Sequence, residues 1–253
     1  MLNEIETPEI LNNIGVIQVE LKKMPEALLS FQAALSSVNK ILKLTPDSKK
    51  FKALNITIRF NLAYHHEQTN NLAEAVELYN DILKEEPLYI DIYYRKAAIA
   101  KKRGDYMKAV EYLEKAKKTP SNRAPVNQML TLALLYQEMG DTQKAGEEFI
   151  AVQKIAGLKE PYANLGIANL DYERSTQVRH EEKKQEEKMR RAMKMYMETL
   201  ELDPSNAFAT LGLANIMAEH GKIQDAVKIY SVLKDTLPGC SHSYVNLAIM
   251  HAS

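Results

Sequence analysis

The sequence predicts an all-α fold, a solenoid of about six and a half helical hairpins, and three observations carry this. A helical pattern returns in one register at Pro8, Ile56, Ile90, Val126, Lys159, Ala207 and Ser241, with spacings of 48, 34, 36, 33, 48 and 34 residues. In every register small residues stand where two helices must approach closely. They are Gly15, Ala63, Ala97, Ala133, Gly166, Ala214 and Ala248 on the first helix, and Ala27, Ala75, Ala109, Ala145, Ala192 and Ala226 on the second. Only nine glycines and nine prolines occur in 253 residues, and the prolines fall largely between repeats. A period near 34 with such a pattern describes units that cannot bury an apolar face alone and so stack on their neighbours.

Each element follows from this register. Four residues after each second-helix alanine comes a large apolar side chain, Phe31, Tyr79, Leu113, Phe149, Tyr196 or Tyr230. At that spacing the pair shares one helix face. Gly104, Gly140 and Gly221 lie between first and second helices and suit the left-handed residue that ends a helix. Pro87, Pro204 and Pro238 stop second helices, since proline cannot continue a helix interior. This is the pattern of tetratricopeptide repeats (TPR), and it predicts one TPR array over residues 1–253. A larger residue at a close contact, as in Ala109→Leu, should overpack it. The register at Ser241 holds only one helix, Tyr244 to His251, so a segment cut from a longer array is expected.

Two spacings exceed the period by 14 residues. In the first, Val38, Ile41, Leu42, Phe51 and Leu54 keep helical spacing, which predicts an elongated second helix and an early start of the next helix. The other excess spans 171–191, inside repeat 5, with six acidic and seven basic side chains. Glu186 with Arg190 and Glu187 with Arg191 are spaced to pair along a helix. Two readings stay open for it: a lengthened helical hairpin offering a separate docking surface, or a solvated charged loop.

Composition narrows the function. Thirty-three basic and 33 acidic residues give a net charge of zero, which supplies no argument for nucleic acid or an anionic membrane. The single cysteine, Cys240, rules out an internal disulfide framework. No basic-then-apolar leader opens the chain, and no apolar run reaches the roughly 20 residues of a membrane span. A soluble intracellular protein is expected. His180-Glu181-Glu182-Lys183-Lys184 begins like a zinc-binding HExxH helix, but Lys184 stands where the second histidine must be. His65 and His66 are adjacent and face apart on a helix, and Cys240 beside His242 has no orienting acid. With no phosphate-binding glycine loop either, no enzyme activity, catalytic residue, cofactor or metal is expected.

A partner would meet the concave face, which the sixth residue of each register helps to line. Those residues are Asn13, Asn61, Arg95, Thr131, Asn164, Gly212 and Asn246, and the candidates are Asn13, Asn61, Arg95, Asn164 and Asn246. An asparagine ladder can hold a peptide backbone through paired donors and acceptors. The competing reading is that asparagine is tolerated beside the core. A carboxylate clamp fits poorly, because Val16 and Asp91 stand where polar or basic contacts are needed beside Asn12, Asn61 and Arg95. Local charge is uneven: 65–91 holds seven acids against one lysine, and 95–123 holds ten basic residues against three acids. Such neighbours can steer a complementary partner. Lys101, Lys102, Arg103, Lys117 and Lys118 form a candidate basic patch, where at most weak, non-specific nucleic-acid binding is expected, against the simpler reading of solvated faces.

Several stretches resemble a particular family. Pro8 to Gly15, Phe60 to Ala63, Leu78 to Pro87, Tyr196 to Pro204 and Leu211 to Gly221, with the order of repeat lengths, resemble the TPR scaffold subunit of the RNA polymerase II-associated factor (PAF) complex. The chain departs from that family in having no tryptophan. The resemblance implies an internal segment of a nuclear subunit that binds other PAF-complex subunits and RNA polymerase II, supports transcription elongation and histone modification, and carries no catalytic residues. TPR modules of co-chaperones, transport adaptors and glycosyltransferase substrate arms are the alternative, although glycosyltransferase arms keep a regular period.

Overall fold

The computed structural model describes residues 7–120, 125–178, 181–236 and 245–249, and among them no strand occurs. Contacts divide the chain into two compact units, Met1–Pro120 and Ser121–Ser253. The first holds α1 (Pro8–Glu20), α2 (Met24–Leu44), α3 (Lys49–Gln68), α4 (Leu72–Glu85), α5 (Ile90–Lys102) and α6 (Tyr106–Lys118). The second holds α7 (Val126–Glu138), α8 (Thr142–Ala156), a 3-10 turn (Gly157–Lys159), α9 (Pro161–Gln177), α10 (Glu182–Leu202), α11 (Ala207–Glu219) and α12 (Ile223–Thr236), followed by helix at 245–249. This is the all-α architecture of a TPR solenoid. The sequence positions at Pro238, Cys240, Ser241, His242 and His180, and the ends of the expected Tyr244–His251 helix, lie outside the described residues.

The hairpins are set by their turns. Fifteen residues into the register the backbone turns left-handed at Lys22, Asn70, Gly104, Gly140 and Gly221, with φ between 58° and 78°. Glycine takes this conformation without a Cβ clash, whereas Lys22 takes it at a steric cost. Asp105 and Asp141 then cap the second helix, accepting from the backbone N–H of Lys108 at 3.1 Å and of Lys144 at 3.0 Å. In repeat 5 the equivalent position is Glu173, which lies within α9, so the helix runs on.

Among the described residues both excesses are largely helical. α2 runs about two turns longer than α4, and α3 begins seven residues before the register position at Ile56. Their added faces are apolar and continue the regular core: Val38 is buried with Ala34 and Ile58, and Leu42, Phe51 and Leu54 pack against this cluster beside Leu11 and Leu35. α9 lengthens at its C-terminal end and α10 at its N-terminal end, and the added seam buries polar groups beside Met189. Asp171 and Ser175 are buried on α9. Arg191 Nε reaches Asp171 Oδ2 at 3.0 Å rather than pairing with Glu187.

Close contacts pair small with large. Ala27, Ala75, Ala109, Ala145, Ala192 and Ala226 are buried, as are Phe31, Tyr79, Leu113, Phe149, Tyr196 and Tyr230. At Gly15, Gly166 and Gly212 a Cβ would overlap the rings of Phe31, Phe149 and Tyr196. Among the described residues no helix is long and apolar enough to cross a membrane.

Candidate functional site

In the first unit α1, α3 and α5 enclose a cleft of about 500 Å³. Its walls are Val16, Val19 and Glu20 from α1, Phe60, Asn61 and Tyr64 from α3, and Asp91, Tyr94 and Arg95 from α5, over Phe31 of α2. All three wall-forming helices are first helices of a hairpin, so the register itself places these side chains on one surface. Two of the candidates from the sequence, Asn61 and Arg95, line this cleft.

The hydrogen bonds of these two side chains are largely internal. Asn61 Nδ2 donates to Asn12 Oδ1 of the preceding hairpin at 2.9 Å. Arg95 Nε donates to Glu67 Oε2 at 3.0 Å, and its guanidinium lies 4.4 Å from the centre of the Tyr64 ring. Glu67 Oε2 also accepts from the Tyr79 hydroxyl at 3.2 Å. Burial, and then the Glu67 charge, push the Tyr79 phenol well above its ordinary range, so it remains a donor.

The second unit repeats this arrangement with neutral groups. Asn246 Nδ2 donates to Asn215 Oδ1 at 2.9 Å, and the Tyr230 hydroxyl donates to the same oxygen at 2.7 Å. Burial is the main cause that pushes the Tyr230 phenol up to about 12. The Tyr196 hydroxyl meets Asn169 Oδ1 at 2.8 Å, and the sixth register residue of the next hairpin is Gly212. Sixth-position side chains thus reach back to staple a hairpin to its predecessor. Asn164 is fully buried, donates to the Leu158 carbonyl at 2.9 Å and accepts from Gln153 at 2.9 Å, leaving no exposed surface. Asn13 is exposed.

The candidate basic residues fall into two groups. α5 and α6 form a hairpin whose connection is three residues long, so the chain reverses between them. Lys101, Lys102 and Arg103 lie at the turn, while Lys117 and Lys118 lie at the far end of α6, roughly 20 Å away by helix rise. Lys102 Nζ donates to Asn70 Oδ1 at 2.8 Å, and Lys118 pairs with Glu114 at 3.5 Å.

Sequence reasoning missed Glu20, Tyr64 and Tyr94. Val16 and Asp91 had signalled the place, as misfits to a carboxylate clamp. The Tyr94 hydroxyl is buried without a hydrogen-bond partner. Burial, and secondarily Asp91, push its phenol up to about 12. Glu20 and Asp91 are exposed, and neither makes an ion pair among the described residues. His65 is buried and its Nε2 meets the Met24 carbonyl at 2.8 Å, which gives it a packing role. Among the described residues no three His, Cys, Asp or Glu side chains converge as a metal site.

Comparison with known proteins gives three kinds of similarity. A family model described as N-terminal acetyltransferase A, auxiliary subunit, matches residues 13–129. RNA polymerase-associated protein CTR9 of Caenorhabditis elegans is 26% identical over 249 residues, covering 95% of this chain and 22% of that protein. The CTR9 homolog of Arabidopsis thaliana is 27% identical, covering 91% of this chain and 24% of its own length. The chain therefore spans about a quarter of the length of the curated relatives it matches. Among solved structures, the C-terminal part of a TPR repeat-containing protein from Cytophaga hutchinsonii superposes with a TM-score of 0.69 at 15% identity, over 96% of this chain and 89% of that one. The fold is that of TPR proteins, and over nearly all of its length the chain is similar to a segment of the CTR9 proteins.

Proposed function

We propose that this chain is a non-catalytic protein-interaction scaffold, and that its array, with repeats near 8, 56, 90, 126, 159, 207 and 241, serves a PAF-type complex in the nucleus. Other subunits of that complex and RNA polymerase II are its partners. The alignment with CTR9 proteins over 95% of the chain carries this reading. The cleft supports the mode of action: first helices of three hairpins present apolar and polar side chains on one surface, and the tyrosine-centred staples hold that surface rigid. A rigid surface binds without the entropic cost of ordering itself.

The match to an acetyltransferase auxiliary subunit over residues 13–129 favours a second reading, a scaffold for an N-terminal acetyltransferase. Affinity purification of the tagged full-length protein from nuclear and cytosolic extracts separates the two. Polymerase-associated factors among the co-purifying proteins support the PAF reading. An acetyltransferase catalytic subunit in their place supports the second, and recovery of chaperones or transport cargo alone sinks both.

A further inference from the structure

We propose that the cleft between α1, α3 and α5 takes an extended segment of a partner protein in which an apolar side chain is flanked by lysine or arginine. This rests on the scaffold reading and adds the chemistry of the bound segment.

Charge decides the class. Glu20 and Asp91 stand in the cleft wall as exposed carboxylates with no ion-pair partner among the described residues. Arg95 is the only cation among the described wall residues, and its guanidinium is already held by Glu67 at 3.0 Å and laid over Tyr64. An acidic ligand would have to displace Glu67 and would meet two further negative charges. A basic ligand finds both carboxylates free. The low exposure of Glu67, 14% for its side chain, keeps the Arg95 contact poorly screened and hard to exchange.

The remaining contacts fit a peptide carrying an apolar residue. Val16 is 40% exposed, and with Val19 and Phe60 it offers an apolar wall on a solvent-facing surface. Asn61 spends its Nδ2 on Asn12 and keeps its side-chain oxygen for a peptide N–H. A volume of about 500 Å³ suits a few side chains rather than a folded domain.

The test uses the full chain and three fluorescein-labelled octapeptides, Gly-Ser-Lys-Leu-Phe-Lys-Ser-Gly and its forms with both lysines replaced by glutamine or by glutamate. Anisotropy titration at low salt should show the lysine peptide binding about tenfold more tightly than the glutamate one, with the glutamine peptide between them. In the Glu20→Gln, Asp91→Asn double variant, that order should collapse while the glutamine peptide keeps its affinity and circular dichroism keeps its helicity. Equal binding of the three peptides, absence of binding, or a lysine preference that survives the double variant overturns the inference. The full-length double variant keeps the two readings apart. If co-purification of polymerase-associated factors persists but the peptide order fails, only the basic-apolar segment is wrong.

Discussion

The two lengthened regions received the same number of extra residues and used them in opposite ways. Between α2 and α3 the additions are apolar: Val38 is buried, and Leu42, Phe51 and Leu54 pack with it against Ile58 of the regular repeat. Between α9 and α10 they bring Asp171 and Ser175 inside. Ser175 Oγ returns its hydrogen bond to the Tyr172 carbonyl at 2.6 Å, and Arg174 binds the Thr142 carbonyl at 2.9 Å. Burial of apolar surface stabilises in proportion to its area, whereas a buried ion pair must first recover the cost of desolvation. The first seam is thus a source of stability. The second holds a geometry, because the Asp171 carboxylate meets its counter-charge only when Arg191 sits opposite it, and Oδ2 still lacks a hydrogen-bond donor.

Four changes sharpen that contrast. The largest effect is expected from Ile58→Ala, which opens a cavity in the apolar seam and should cost about 2–5 kcal/mol in urea denaturation followed by helicity. A loss below roughly 1 kcal/mol would show that the seam contributes little. Arg191→Ala comes next, at about 1–2 kcal/mol near pH 7, reduced from a fully buried pair because Arg191 is half exposed. Its pH dependence is diagnostic. Burial, outweighing Arg191, raises the Asp171 pKa above its ordinary value, so its contribution to stability is present below the unfolded pKa and is lost as pH rises through the folded one. Removing Arg191 should raise it further, and the deficit of the variant should shrink when melting is repeated near pH 4.

His66 on α3 has the opposite sign. Burial, then the neighbouring His65, lowers its pKa below 6.5. Its neutral form is favoured in the fold, so stability is full above pH 6.5 and falls as pH drops through the folded pKa. His66→Gln should flatten the part of the melting profile between about pH 7 and pH 5, and an unchanged profile would assign that slope to other groups. The smallest effect is Lys22→Gly, which relieves a left-handed lysine and should raise stability by up to about 1 kcal/mol. Thermal melting of the two proteins side by side decides it.

The all-α TPR fold was legible because close helix contact leaves a one-residue signature, alanine or glycine with a large neighbour one turn on. The turns were legible only at Gly104, Gly140 and Gly221. Asn70 adopts the same backbone, which asparagine tolerates at a helix end, and Lys22 adopts it against its own preference. The site was legible in part. The sixth-position side chains could be found by counting, but the choice between holding a ligand and holding the next hairpin depends on where Glu67, Asn215 and Gln153 lie in space. Tyr94 left no signal, since an unpartnered hydroxyl is a property of packing.

The hairpin ends bring out a rule of growth. Elsewhere the second helix of each hairpin begins three residues before its alanine, but α10 begins ten residues before Ala192, seven earlier. Likewise α3 starts seven residues early and α2 ends about seven late. Seven residues are within about 20° of two full turns, so a helix can gain them and still show the same face to its neighbour. The array therefore lengthens in paired steps of two turns, one on each arm. An addition of four or five residues to one arm would leave its partner without a matching face, and removing one whole step from both arms of α9–α10 should leave the stacked core intact.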